Sequence, residues 1–175
     1  GSNFDLIENH LRRLMSRYQH DKEVFIAVMV DLYAFPKGGN TVYDEEVRKQ
    51  QNGKKKALLL QSKIVERMKY QNFIPYVQLH EYEALLLSKP DALLGFFTDK
   101  AREIEGLKAE IKGMQPEEIN DTPQGAPSKR IIKYLPGYEK QKTTAGVITA
   151  EKIGLPFLRV RCPHFNDWVT KLESI

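Results

Sequence analysis

The sequence predicts an α/β fold in which a mostly parallel sheet is flanked by helices. Two apolar runs carry that expectation, Val24-Phe25-Ile26-Ala27-Val28-Met29-Val30-Asp31 and Phe73-Ile74-Pro75-Tyr76-Val77-Gln78-Leu79-His80-Glu81-Tyr82-Glu83, each ending in carboxylates. Between them, residues 44–70 repeat apolar side chains at helical spacing. Strand, helix and strand then form a right-handed βαβ unit that brings both strand ends to one edge. Open α/β sheets hold ligands at that edge, so the carboxylates point to a divalent-metal site.

Each element follows from local pattern. Phe4, Ile7, Leu11, Leu14, Met15 and Tyr18 recur at helical spacing, which predicts an amphipathic helix over residues 3–19 capped by Asn3 or Asp5. Residues 24–31 are short, valine-rich and continuously apolar, and read as a buried parallel strand. Pro36 and the Gly38-Gly39 pair then mark a flexible loop beside the proposed site. In the 44–70 helix, Leu60, Ile64, Val65 and Met68 share a face and Gly53 marks a break near the start. The second strand begins at about Phe73, with Pro75 suited to its beginning and not its middle. Short helices are expected from Glu83 and over 90–97, and a charged helix over 100–112 closed by Gly113. Residues 114–129 are rich in Pro, Asn, Asp and Gly and read as a long surface loop. Helices at 127–135, at 144–153 ending on Gly154, and at 163–175 with Phe165, Trp168, Val169 and Leu172 inward complete the chain.

At 175 residues and 41% hydrophobic content the chain can bury one core, so a single domain over 1–175 is expected. Its apolar runs are far shorter than the ~20 residues of a membrane helix, and the expectation is a soluble, cytoplasmic protein with no membrane partner. Cys162 is the one cysteine, which excludes an internal disulfide and a cysteine-rich zinc site. The net charge of +4 is modest, but Lys54-Lys55-Lys56, Lys63, Arg67 and Lys69 crowd one segment and Lys129, Arg130, Lys133, Lys140 and Lys142 another. Both clusters read either as solvated helix faces or as nucleic-acid contacts. Gly1-Ser2, without a methionine, reads as a scar left by removal of an expression tag.

A carboxylate at the tip of a buried strand needs a metal, a proton or a basic partner. Magnesium, or manganese in its place, suits such a site, because magnesium takes oxygen ligands and often only one or two carboxylates. Asp31, Glu81 and Glu83 are therefore the candidate catalytic and metal-binding residues. Glu81 and Glu83 point the same way if the strand's period of two continues through them and diverge if a helix has begun. The competing reading makes Asp31 and Glu83 helix caps or ion-pair partners. Lys129, Arg130 and Lys133, near a helix start, are candidate phosphate or nucleic-acid binders, against a solubilising face as the alternative. His80 and His164 are auxiliary candidates, although Cys162 and His164 alone are too few for a structural zinc site. No Walker loop, Gly-x-Ser-x-Gly elbow or dinucleotide fingerprint occurs.

Five motifs in order carry a resemblance. Met29-Val30-Asp31-Leu32-Tyr33-Ala34-Phe35-Pro36, Tyr76-Val77-Gln78-Leu79-His80-Glu81-Tyr82-Glu83-Ala84-Leu85-Leu86, Glu118-Ile119-Asn120-Asp121, Ala126-Pro127-Ser128-Lys129-Arg130 and Cys162-Pro163-His164-Phe165-Asn166 resemble a bacterial domain family of unknown function, number 4276. That family is similar to Toprim domains, the Rossmann-type metal-binding fold of topoisomerases, primases and overcoming-lysogenization-type nucleases. The resemblance implies that Asp31 matches the first aspartate of the Toprim Asp-x-Asp pair. Tyr33 stands at the second, and Glu81 or Glu83 substitutes for it. It also implies an earlier strand with a metal-binding glutamate, which this sequence does not show, so an amino-terminally truncated domain, inactive alone, is expected. Family members resemble effector halves of bacterial mobile-element defence systems, paired with AAA or SMC-like ATPases. The expected function is magnesium-dependent nuclease or phosphotransfer chemistry on nucleic acid. The alternatives are a non-catalytic regulatory subunit of such an ATPase and, more distantly, a small-molecule phosphohydrolase. A homo-oligomer is compatible with either of the first two.

Overall fold

The computed structural model describes residues 4–119 and 125–175, so the Asn3 cap and the motif residues Asn120 and Asp121 lie outside the described residues. It is a mixed α/β fold, mostly helical, with a small parallel two-stranded sheet. The sequence reads as a single domain; its residues group into two compact units, Gly1–Leu79 and His80–Ile175.

The first unit contains α1 (Phe4–Arg17), β1 (Ile26–Asp31), α2 (Glu45–Arg48), α3 (Gly53–Met68) and β2 (Phe73–Gln78). β1 and β2 run parallel, in register from Ile26 opposite Phe73 to Asp31 opposite Gln78, with α3 as the crossover expected from sequence. The 44–70 helix is broken as Gly53 suggested. Asp44 Oδ1 accepts the N–H groups of Glu46 and Val47 to start α2, and Asn52 Oδ1 accepts that of Lys55 to start α3. Leu60, Ile64 and Met68 of α3 pack with Leu11 and Met15 of α1 and with Phe73 and Val77 of β2 in one core.

β2 is buried along its whole length, Pro75 included. The N–H of Val77 turns away from β1 and donates to Gln61 Oε1 of α3 at 3.1 Å. Pro75 has the same parity, so its missing N–H costs the β1–β2 ladder nothing. β1 departs from the expected fully buried strand: Ile26 is buried, Ala27 is exposed and Val28 to Asp31 are half-buried. Each strand has one strand neighbour among the described residues, but β2 is also packed against α3, which accounts for its deeper burial.

The loop after β1, read as flexible from its glycines, is tied down by side chains. Phe35 packs on Phe4 and Tyr43, Thr41 Oγ1 donates to Pro36 O at 2.7 Å, and Asn40 joins Asp5 to Arg67. Beneath it, buried Glu8 accepts Arg67 and Arg12, whose guanidinium groups hold its carboxyl below the usual 4.5.

Every secondary-structure element among the described residues of the second unit is helical. It comprises α4 (Glu83–Leu86), a 3-10 turn at Pro90–Gly95, α5 (Ala101–Glu110), a second turn at Pro116–Glu118, α6 (Pro127–Tyr134), α7 (Tyr138–Ile153), α8 (Leu155–Arg161) and α9 (Pro163–Glu173). Gly106 of α5 leaves room for the Tyr134 ring of α6, since a Cβ there would lie 2.6 Å from Tyr134 Cε1. That approach lets Tyr134 O–H reach Glu110 Oε2 at 2.9 Å.

Glu110, like Glu8, is held below the ordinary 4.5, in its case by Lys133 first and then by Tyr134 and Arg130. A depressed folded value means the stabilisation is complete above the unfolded value and is lost as pH falls through the folded one. Urea midpoints are therefore expected to be flat above about pH 5 and to fall steadily toward about pH 3. Glu8→Gln/Glu110→Gln protein is expected to show a shallower fall.

Candidate functional site

In the first unit, Asp31 ends β1 half-buried, opposite Gln78 at the carboxyl edge of the sheet. That edge carries buried polar chemistry. Gln78 is fully buried, accepts Tyr76 O–H at 2.7 Å, donates to Leu79 O at 3.1 Å, and through its own carbonyl accepts Leu32 N–H at 3.0 Å. The last of these bonds anchors the backbone just after Asp31. Sequence reading placed Asp31 there but missed the Tyr76–Gln78 pair, for which the signal was a glutamine inside an otherwise apolar strand.

The second unit opens on a bend, with His80 half-buried at φ 65° in the left-handed region. Tyr82 is already helical and α4 begins at Glu83, so the strand period does not continue and the two glutamates diverge. Glu81 Oε2 accepts the N–H of Ser128 at 2.9 Å, in the first turn of α6, where Ala126 has no capping side chain of its own. A carboxylate is well placed there, because the free N–H groups and the helix dipole favour negative charge. Glu83 is buried, accepts Tyr138 O–H at 3.3 Å and lies 3.5 Å from Lys142 Nζ, both on α7. Tyr82 between them donates to Gly146 O at 3.3 Å. Burial first, and then the charge of Glu83, pushes both phenols above their ordinary range, so they act as donors.

The other candidates have clear places. Arg130 Nη1 meets Glu110 Oε1 at 2.8 Å and its Nε donates to Gly125 O, while Lys133 pairs with Glu110 Oε2. These two cations knit α6 to α5, whereas Lys129 is exposed. His164 is buried, and its backbone N–H donates to Glu117 Oε2 at 2.9 Å while that of Phe165 donates to Glu117 Oε1 at 2.9 Å. A buried carboxylate thus caps α9 with both oxygens, a role that sequence reading missed. Burial and the Glu117 charge push the neighbouring Cys162 thiol up to about 12. Iodoacetamide at pH 8 is expected to leave Cys162 unlabelled in native protein and to label it fully in urea; rapid native labelling would contradict this burial.

A family model covers nearly the whole chain. A model described as a domain of unknown function, DUF4276, matches residues 2–173. The chain belongs to the DUF4276 family. No curated protein and no solved structure matches it.

The carboxylates of this DUF4276 domain differ in how well they suit a metal ion. Asp31, a half-buried oxygen donor on a fixed strand end, matches magnesium's preference for hard ligands. Glu81 offers the same chemistry with one oxygen engaged by Ser128. Glu83 fits poorly, since Lys142 already balances its charge and Tyr138 bonds it, and a cation there would displace both. Asp31 belongs to the first unit and both glutamates to the second. Among the described residues no group of three or more His, Cys, Asp or Glu side chains is placed to hold a metal ion. No helix among them is long and apolar enough to cross a membrane.

Proposed function

We propose that this DUF4276 domain is the Toprim-like effector of a magnesium-dependent nuclease or phosphotransfer enzyme acting on nucleic acid. The observation that carries the reading is Asp31 at the carboxyl edge of a parallel β1–α3–β2 unit, the place where open α/β folds bind ligands. Asp31 is the proposed ligand of the first unit; in the second unit Glu81 is a candidate ligand and Glu83 a positioning residue through its bonds to α7. Magnesium, when bound, supplies charge stabilisation of the attacked phosphate and a more acidic water. The chain's own contribution is a half-buried carboxylate on a strand end whose following residue, Leu32, is bonded through its N–H to Gln78 O. The family resemblance further suggests an AAA or SMC-like ATPase partner and a role in bacterial mobile-element defence. Full-length protein incubated with DNA and RNA in magnesium or manganese tests the reading, with cleavage in metal and none in EDTA as the expected result.

A second reading is favoured by one observation: Glu81 and Glu83 each serve a helix of their own unit. On that reading the domain is a non-catalytic regulatory subunit of the ATPase. Co-purification with a neighbouring ATPase, together with no metal-dependent cleavage by the assembled complex, would select it over the enzyme.

A further inference from the structure

We infer that the basic stretch at residues 48–56 of the first unit is a docking surface for the phosphate backbone of a nucleic acid, an inference that rests on the nucleic-acid-directed function proposed above and names its contact surface. The charge distribution points there. The first unit's sequence carries 13 Lys and Arg against 9 Asp and Glu, whereas the second has 14 of each, so the whole excess of +4 belongs to the first. Residues 48–56 concentrate it, with Arg48, Lys49, Lys54, Lys55 and Lys56 and no carboxylate among nine positions. Arg48, Lys49, Lys54 and Lys55 are exposed and Lys56 is half-buried.

The surrounding carboxylates are already engaged. Asp44 and Glu46 lie 2.9 and 2.7 Å from Lys63 Nζ, which they hold strongly protonated, and Glu45 pairs with Arg48 at 3.0 Å. The amide of Asn52 is used to cap α3 and that of Gln50 donates to Glu46 O. The surface therefore offers ammonium groups on flexible stems, which neutralise phosphates and carry no base readout. The two candidates from the other basic cluster, Arg130 and Lys133, are spent on Glu110. Binding should be independent of sequence and steeply dependent on salt.

The test is a salt series on full-length protein in EDTA, with fluorescent duplex DNA and single-stranded RNA as probes. Removing three phosphate contacts by Lys49→Gln/Lys55→Gln/Lys56→Gln is expected to lower the slope of log affinity against log salt by about 2–3 units. The Lys→Arg triple at the same positions is expected to keep the parental slope, which separates charge from damage to the fold. A matched loss of charge in the second unit, Lys112→Gln/Lys140→Gln/Lys171→Gln, is expected to change the slope by less than about 1. An unchanged slope in the first variant, an equal loss in the matched one, or binding to phosphatidylserine vesicles and to neither nucleic acid would overturn the inference. Cleavage is not the readout: intact binding without metal-dependent cleavage counts against the nuclease alone, and cleavage with an unaltered slope counts against this surface alone.

Discussion

Asp31→Ala in the full-length protein is expected to abolish magnesium-dependent cleavage, with a loss of about a thousandfold or more. A metal ligand acts on the charge that develops at the attacked phosphate, and about 4 kcal/mol of lost stabilisation corresponds to that factor. Asp31→Asn retains the shape and one oxygen, yet it removes the charge that pairs with a divalent ion, so it is expected to fall nearly as far. Neither change should unfold the first unit, because Asp31 is half-buried at the end of β1 and the core is built from apolar side chains such as Leu60, Ile64 and Val77. Circular dichroism and the urea midpoint check that point. Duplex binding in EDTA is expected to persist in both variants, which would place the defect in chemistry and not in docking.

Glu117→Ala is expected to give the largest loss of stability in the second unit. Glu117 is buried and satisfies two backbone N–H groups in the first turn of α9, those of His164 and Phe165. Its removal leaves two buried donors without an acceptor and opens a small cavity, a cost of about 2–4 kcal/mol. Glu117→Gln keeps one acceptor oxygen and presents an amide to the other N–H, so about half that loss is expected. Amide hydrogen exchange at His164 and Phe165 reads the effect directly, since about 2–4 kcal/mol corresponds to roughly 30- to 700-fold faster exchange. Protection unchanged within about 0.5 kcal/mol would show that the N-terminal turn of α9 does not depend on Glu117.

The contrast between these two residues shows what the sequence carries. Asp31 was legible because a six-residue apolar strand with a carboxylate at its tip is a local pattern, and the βαβ unit followed from the helical spacing between two such strands. Glu117 was not legible, because its partners lie 47 and 48 residues away and nothing in Gln115-Pro116-Glu117-Glu118 marks which glutamate turns inward. Separations of 20 and 23 residues likewise hid Glu110 from Arg130 and Lys133, so the ion pairs that join α6 to α5 were not legible at the basic helix start. Glu81 and Glu83 were found as a pair, but their divergence depended on where α4 begins, a boundary that pattern fixes poorly. α8 escaped notice for a related reason, being only seven residues long between Gly154 and Pro163, with Pro156 in its first turn. For the longer helices existence was clear from periodicity, whereas α7 begins at Tyr138, upstream of the expected Thr144, with the Tyr138 O–H bonded to Glu83.

The most direct test of the metal-dependent reading is titration calorimetry of magnesium and manganese into full-length protein, beside Asp31→Ala. Saturable binding by the parent and its loss in the variant is the expected result, and it would justify assigning Asp31 as the metal ligand of this DUF4276 domain. Equal binding by both proteins, or binding by neither, would contradict that assignment and leave the regulatory-subunit reading in its place.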